Sequence, residues 1–178
     1  MKVISLMVTV MLFSSSLTAK TYTIGSGKWT DPRVWGNEYI GSVIKAGDVV
    51  IIKGHITLTI PLLVEGILQL ERGASIMGMK DLTVAQTGRF VNNGNTVVRS
   101  IINEGSICNN CVMEAMSNIQ NTSTIENNHN MLAGNNFSSA GGNAYGKGGR
   151  IYANNSATVS VSTELGLGVN VYSMKKDE

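Results

Sequence analysis

A short motif recurs through the middle of this chain, and its spacing restricts the folds open to it. Gly88-Arg-Phe-Val-Asn-Asn93 is followed by Gly105-Ser-Ile-Cys-Asn-Asn110, Ser123-Thr-Ile-Glu-Asn-Asn128 and Gly149-Arg-Ile-Tyr-Ala-Asn-Asn155. The Asn pairs recur at steps of 17, 18 and 27 residues. A second series runs alongside, with Ile102-Asn-Glu and Ile119-Gln-Asn 17 residues apart. Self-similarity at a fixed period marks a repeat architecture, in which one unit cannot bury its own apolar face and several must stack. A period near this length holds a few short strands, which fits one coil of a β-solenoid per repeat.

The residues inside the motif say how the coils stack. Two positions before the first Asn stand Phe90, Ile107, Ile125 and Tyr152. Side chains two apart share one face of a strand. Phe90, Ile107 and Ile125 are therefore expected as an interior row, one per coil. Asn92, Asn109, Asn127 and Asn154 are expected beside them as a ladder of amides, hydrogen-bonded at strand spacing.

The rest of the chain agrees with an all-β reading. Asp48 to Ile60 contains two β runs around Gly54-His55, Leu62 to Leu70 a third broken by Gly66, and Leu82 to Val84 a fourth. Short strands with turn residues at regular spacing belong to sandwiches, barrels or solenoids. The repeat selects the solenoid.

The two ends read differently. Met1-Lys2, an apolar run from Val3 to Phe13 and small polar residues to Ala19 have the three-part layout of a secretory signal. That run is shorter than the roughly 20 apolar residues a membrane-crossing helix needs. The expected organisation is a signal peptide over 1–19, a β-solenoid domain over 20–172 and a charged tail over 173–178. Within the domain, 20–47 is expected as an N-terminal cap, 48–133 as coils, 134–149 as a Gly-rich insert, and 150–172 as the last coil and a closing pair of strands. The mature chain is expected to be secreted, periplasmic or at the cell surface, without an integral membrane segment.

Export frames the cysteines. Cys108-Asn-Asn-Cys111 holds both cysteines of the chain, and in an exported protein a close pair is expected as a disulfide. A zinc site usually takes four ligands, and only His55 and His129 remain as further soft donors, so no metal and no cofactor is expected. Formal charge falls from +2 to +1 when Lys2 leaves with the signal, and charged residues make up 15% of the chain. A nucleic-acid binder usually shows a basic stripe, so none is expected as a partner.

Gly25-Ser-Gly-Lys-Trp-Thr-Asp-Pro-Arg-Val-Trp35, followed by Gly47-Asp-Val-Val-Ile-Ile52, is the most specific local pattern. Its Trp-x-Asp-Pro-x-x-Trp element and Gly-Asp-x-Val-x-Ile strand resemble the N-terminal unit of secreted right-handed parallel β-helix proteins of Bacteroidetes, and the start of G8 domains. The resemblance covers roughly residues 21–75. It implies a short single-stranded right-handed β-helix of the pectin-lyase-like kind, outside the cell, in surface or carbohydrate-related proteins. Read from the residues, Trp29 and Trp35 either seal the first coil or form a sugar-stacking platform.

Catalytic constellations are scarce. The four Asp residues, Asp31, Asp48, Asp81 and Asp177, are scattered, and no Asp-rich loop supplies the six to eight oxygens calcium takes. Glycosidase chemistry needs two facing carboxylates, and Glu104 and Glu126 do not occupy matching positions in their repeats. The candidate ligand-binding residues are Trp29, Trp35 and, in or beside the Gly-rich insert, Phe137, Tyr145 and Arg150. The expected function is a non-catalytic extracellular binding or adhesion module for a glycan or cell-surface polysaccharide. The alternatives are a structural, self-assembling surface subunit and a small polysaccharide lyase or hydrolase.

Overall fold

The computed structural model describes residues 18–154, 156–158 and 170–173. The expected signal segment through Leu17, most of the two closing strand runs and the tail from Met174 lie outside the described residues.

The chain is a right-handed β-helix in which three parallel sheets wrap one apolar core. Each coil visits the three sheets in turn. The first sheet stacks Thr21–Ile24, Val49–Ile52, Ile67–Leu70, Arg89–Asn92, Ser106–Asn109, Thr124–Asn127 and Asn143–Tyr145. The second begins at Gly27–Lys28 and runs through Arg150–Ala153 to Asn170–Ser173. The third runs from Val43–Ile44 to Ser156–Thr158. Parallel crossovers of this kind take the right hand because right-twisted strands pack back onto their sheet only that way.

Alternation of side chains builds the core. Val49–Ile52 buries Val50 and Ile52 and turns Val49 and Ile51 outward. In register with Val50 lie Leu68, Phe90, Ile107, Ile125 and Ala144, all buried. The expected row of Phe90, Ile107 and Ile125 is therefore part of a longer one. The strands of the first sheet begin at Thr21, Val49, Ile67, Arg89, Ser106, Thr124 and Asn143. The steps from Arg89 to Ser106 and on to Thr124 have the 17- and 18-residue lengths of the sequence motif, the step from Val49 to Ile67 is 18 residues as well, and the others are longer.

The inner corner columns change chemistry halfway along the axis. In the first sheet, Ile24, Ile52 and Leu70 are followed in register by Asn92, Asn109 and Asn127. In the third, Ile44, Val64 and Val84 are followed by Asn103 and Asn121. Both switches fall in the same coil. The amides satisfy one another: Asn92 Nδ2 donates to Asn109 Oδ1 and Asn109 Nδ2 to Asn127 Oδ1, each at 2.7 Å. Each Nδ2 also reaches a backbone carbonyl at or just before the start of a second-sheet strand, that of Val112, Asn130 and Arg150 in succession. Across the core, Asn103 donates to Asn121 at 2.7 Å and Asn121 to Ser139 Oγ at 2.9 Å. Among the described residues no buried side-chain N or O lacks a partner, as a buried polar network requires.

Several sequence expectations are corrected here. Asn154 is outside the ladder. It is exposed and follows a strand of the second sheet, whereas the ladder's next position in the first sheet falls at Gly146. Tyr152 likewise faces out, because Ile151 and Ala153 take the inward positions of its strand. The repeat linking Ile102 to Ile119 is off by one residue: Ile101 pairs with Ile119, and Asn103 with Asn121.

The segment 20–47 is a cap only in part. Thr21–Ile24, Gly27–Lys28 and Val43–Ile44 already form a first coil in parallel register with the second. The capping portion is a short 3-10 helix, Pro32–Trp35, started by Asp31, whose side chain accepts from Arg33 N, and stopped by Gly36 in the left-handed region. Proline at the first turn costs nothing there, since its missing N–H would be unbonded anyway.

The Gly-rich stretch 134–149 is not an insert but regular coil, with strands Asn136–Ser138 and Asn143–Tyr145. Its glycines reflect close stacking. A Cβ at Gly146 would collide with the carbonyl oxygen of Asn127 on the coil beneath. The described parts of the two closing runs do not form a pair. Ser156–Thr158 joins the third sheet and Asn170–Ser173 the second.

Candidate functional site

The five residues expected to bind ligand are not brought together. Trp29 is fully buried and Trp35 is 5% exposed, with their rings edge to face at 4.7 Å. Trp29 Nε1 donates to Gly41 O and Trp35 Nε1 to Trp29 O, both at 2.7 Å. A sugar-stacking platform needs an open ring face, so this pair seals the first coil instead. Phe137 is also fully buried, in register with Ile119, and is core rather than contact surface. Tyr145 is 40% exposed on the first sheet. Arg150 is exposed on the second, two residues before Tyr152, whose ring stacks on Tyr172 at 5.3 Å.

Cys108 and Cys111 are free thiols, which corrects the expected disulfide. Each sits against its own amide. Cys108 Sγ lies 3.7 Å from Asn110 Oδ1 and Cys111 Sγ lies 3.5 Å from Asn95 Oδ1. Burial pushes the Cys108 thiol up, and the neighbouring Glu126 carboxylate adds to the shift, so Cys108 is held as a thiol rather than a thiolate. His55 Nδ1 lies 3.0 Å from Ser75 Oγ, and Ser75 is buried beneath it. Among the described residues no group of three or more His, Cys, Asp or Glu could hold a metal ion.

What the coils do assemble is a groove along the outer corner between the second and third sheets. Its volume is about 360 Å³, within the roughly 300–1,000 Å³ of small-molecule sites. Asp81, Arg99, Ser100, Ser117, Asn118 and Gln120 line it together with Ile101 and Ile102. Asp81, Arg99 and Ser117 follow one another at 18-residue steps, so they stand on three successive coils. At strand spacing these coils span about 10 Å along the axis. Ile102 and Gln120 are register partners on the outer face of the third sheet.

The groove's charges are closed on each other. Arg99 Nε donates to Asp81 Oδ1 at 2.7 Å, and Nη2 donates to Oδ2. The Arg99 guanidinium holds the Asp81 carboxyl below its ordinary value, with smaller help from the Ser100 hydroxyl and Lys80. Such bidentate pairs are the strong form of charge-assisted hydrogen bond. An acid whose folded value is lowered stabilises the fold above its unfolded value and loses that gain as pH falls through the folded one. Both side chains are partly exposed, so solvent screens the pair and its contribution to stability is small. In Arg99→Ala the Asp81 carboxyl is expected to titrate at higher pH than in the parent, read by carboxyl NMR. An unchanged titration would mean the pair does not persist in solution.

Sequence reasoning missed this groove because its parts are scattered over 40 positions, from Asp81 to Gln120. The 18-residue recurrence of polar residues at Asp81, Arg99, Ser117 and Asn135 was the available signal.

Among the described residues no helix is long and apolar enough to cross a membrane. No protein-family model, no curated protein and no solved structure matches this chain.

Proposed function

We propose that this protein is a non-catalytic extracellular module that binds a glycan or cell-surface polysaccharide, with the corner groove as its contact surface. The observation that carries the reading is the groove itself: hydroxyl and amide groups on two successive coils, beside a carboxylate from the preceding coil already committed to an arginine. Hydroxyls and amides are the partners a sugar's own hydroxyls take, and a preformed β scaffold spares the ordering cost of binding. Hydrolysis of a glycosidic bond takes two carboxylates on either side of it. The groove lining contributes Asp81 and no second one. The signal-like leader and the resemblance of Trp29–Trp35 and Gly47–Ile52 to secreted β-helix proteins agree with work outside the cell.

The test is a glycan array probed with the chain from Lys20, with circular dichroism as the folding control. Binding without release of reducing or unsaturated ends from the bound polysaccharide is the expected result. Turnover of that polysaccharide would replace the reading with an enzymatic one.

A further inference from the structure

We infer that the groove takes an uncharged, polyhydroxylated chain lying parallel to the solenoid axis, recognised without ionic contacts. This rests on the glycan-binding reading above and adds the chemical class and direction of the ligand.

The charge argument comes first. Both formal charges lining the groove, Asp81 and Arg99, cancel in one closed bidentate pair, and the nearby Ser100 hydroxyl further favours the ionised Asp81. Lys80 acts on Asp81 as well but does not line the groove. An anionic polymer would find no free cation here, and the neutral donors of the groove would not offset the water its carboxylates or sulfates lose. A site that leaves the wrong ligand's charge unpaired selects against it.

The remaining groups are neutral and open. Asn118 Oδ1 accepts from Asn136, which leaves the Asn118 Nδ2 hydrogens to donate outward. Ser117 Oγ accepts from Asn135 Nδ2, which leaves the Ser117 hydroxyl hydrogen free. Gln120 is exposed and makes no hydrogen bond to another described residue, so it offers both a donor and an acceptor. Ile102, half-buried beside it, supplies an apolar patch for the C–H face of a sugar ring.

The direction follows from the coils. Each coil contributes its groups at one strand spacing from the last, about 4.8 Å along the axis. A ligand that contacts Arg99–Ile102 and Ser117–Gln120 together must cross from coil to coil, not run along a single strand. A linear polymer lies that way.

The experiment is calorimetric titration of the full mature chain with neutral β-glucan and mannan oligosaccharides, and with oligogalacturonate of equal length, at low and high ionic strength. Parent, Gln120→Ala and Ile102→Ser are compared. Both substituted side chains face out of the core, so circular dichroism should be unchanged. The expected result is binding of a neutral oligosaccharide that changes less than about twofold with salt and weakens about tenfold in Gln120→Ala. Stronger binding of oligogalacturonate, falling with salt, would overturn the inference and leave the glycan-binding reading standing. Neutral binding unaffected by either variant would overturn the groove as its place. Failure of every oligosaccharide to bind the folded parent would overturn the glycan-binding reading itself.

Discussion

Asn109→Leu is expected to destabilise the protein by about 3–5 kcal/mol, a large share of a domain's total stability. The substitution keeps the branched heavy-atom skeleton of the side chain and replaces its polar atoms with bulkier methyl groups. Asn109 is fully buried in the middle of its column. It accepts from Asn92, and it donates to Asn127 Oδ1 at 2.7 Å and to Asn130 O at 3.1 Å. Leucine would orphan the Asn127 oxygen and weaken the bonding of Asn92 and Asn130. Each buried polar group left without a partner costs about 1–3 kcal/mol. The matched control is the next residue, Asn110. It stands in an outer amide ladder, donating to Asn93 at 2.9 Å and accepting from Asn128 at 2.9 Å. Water replaces those bonds, so Asn110→Ala should cost less than about 1 kcal/mol. Urea unfolding followed by circular dichroism compares the two. Equal shifts would show that burial of the inner ladder is not what makes it matter.

Trp29→Ala should cost about as much, roughly 3–5 kcal/mol, by a different route. The indole is fully buried against Trp35, and Trp35 in turn meets Tyr22 and Tyr39 edge to face at 6.0 and 6.1 Å. Truncation empties the seal over the first coil and leaves the Gly41 carbonyl without its donor. Each coil contacts chiefly its neighbours, so the damage should stay local. Hydrogen exchange is expected to speed up in Thr21–Ile24 far more than in Thr124–Asn127. Uniform acceleration along the axis would mean that the solenoid opens as one unit, and an unchanged urea midpoint would remove Trp29 from the core.

These two residues also show what the sequence reveals and what it hides. The solenoid was legible because the Asn-Asn pairs and the apolar residue two positions before them recur at coil length. The same rule misplaced Asn154. An Asn pair looks alike at a corner of the first sheet and beyond a strand of the second, and only the count of residues per coil separates them. The second buried ladder was harder to see, since Asn103 and Asn121 stand singly and their alignment shifts by one residue from the apparent repeat. The tryptophans gave an ambiguous signal: an aromatic pair serves a cap or a sugar platform equally well until its exposure is known. Glycines between 134 and 149 suggested a loose loop, but glycine there lets one coil approach the backbone of the next. The groove depends on residues meeting across three coils, which is a property of register rather than of any local motif.

The switch from aliphatic to amide corner columns has a consequence for how such a chain can change length. An amide rung is self-complementary along the axis: it presents an acceptor to the coil on one side and donors to the coil on the other. A copied stretch such as 106–123 would meet the same pattern above and below, so the middle of the solenoid can gain or lose a unit without inventing a new interface. The aliphatic coils, with their individual side-chain shapes and their aromatic seal, allow no such copying. Genetic duplication would therefore lengthen this molecule from its amide half, and the number of groove positions would grow with it.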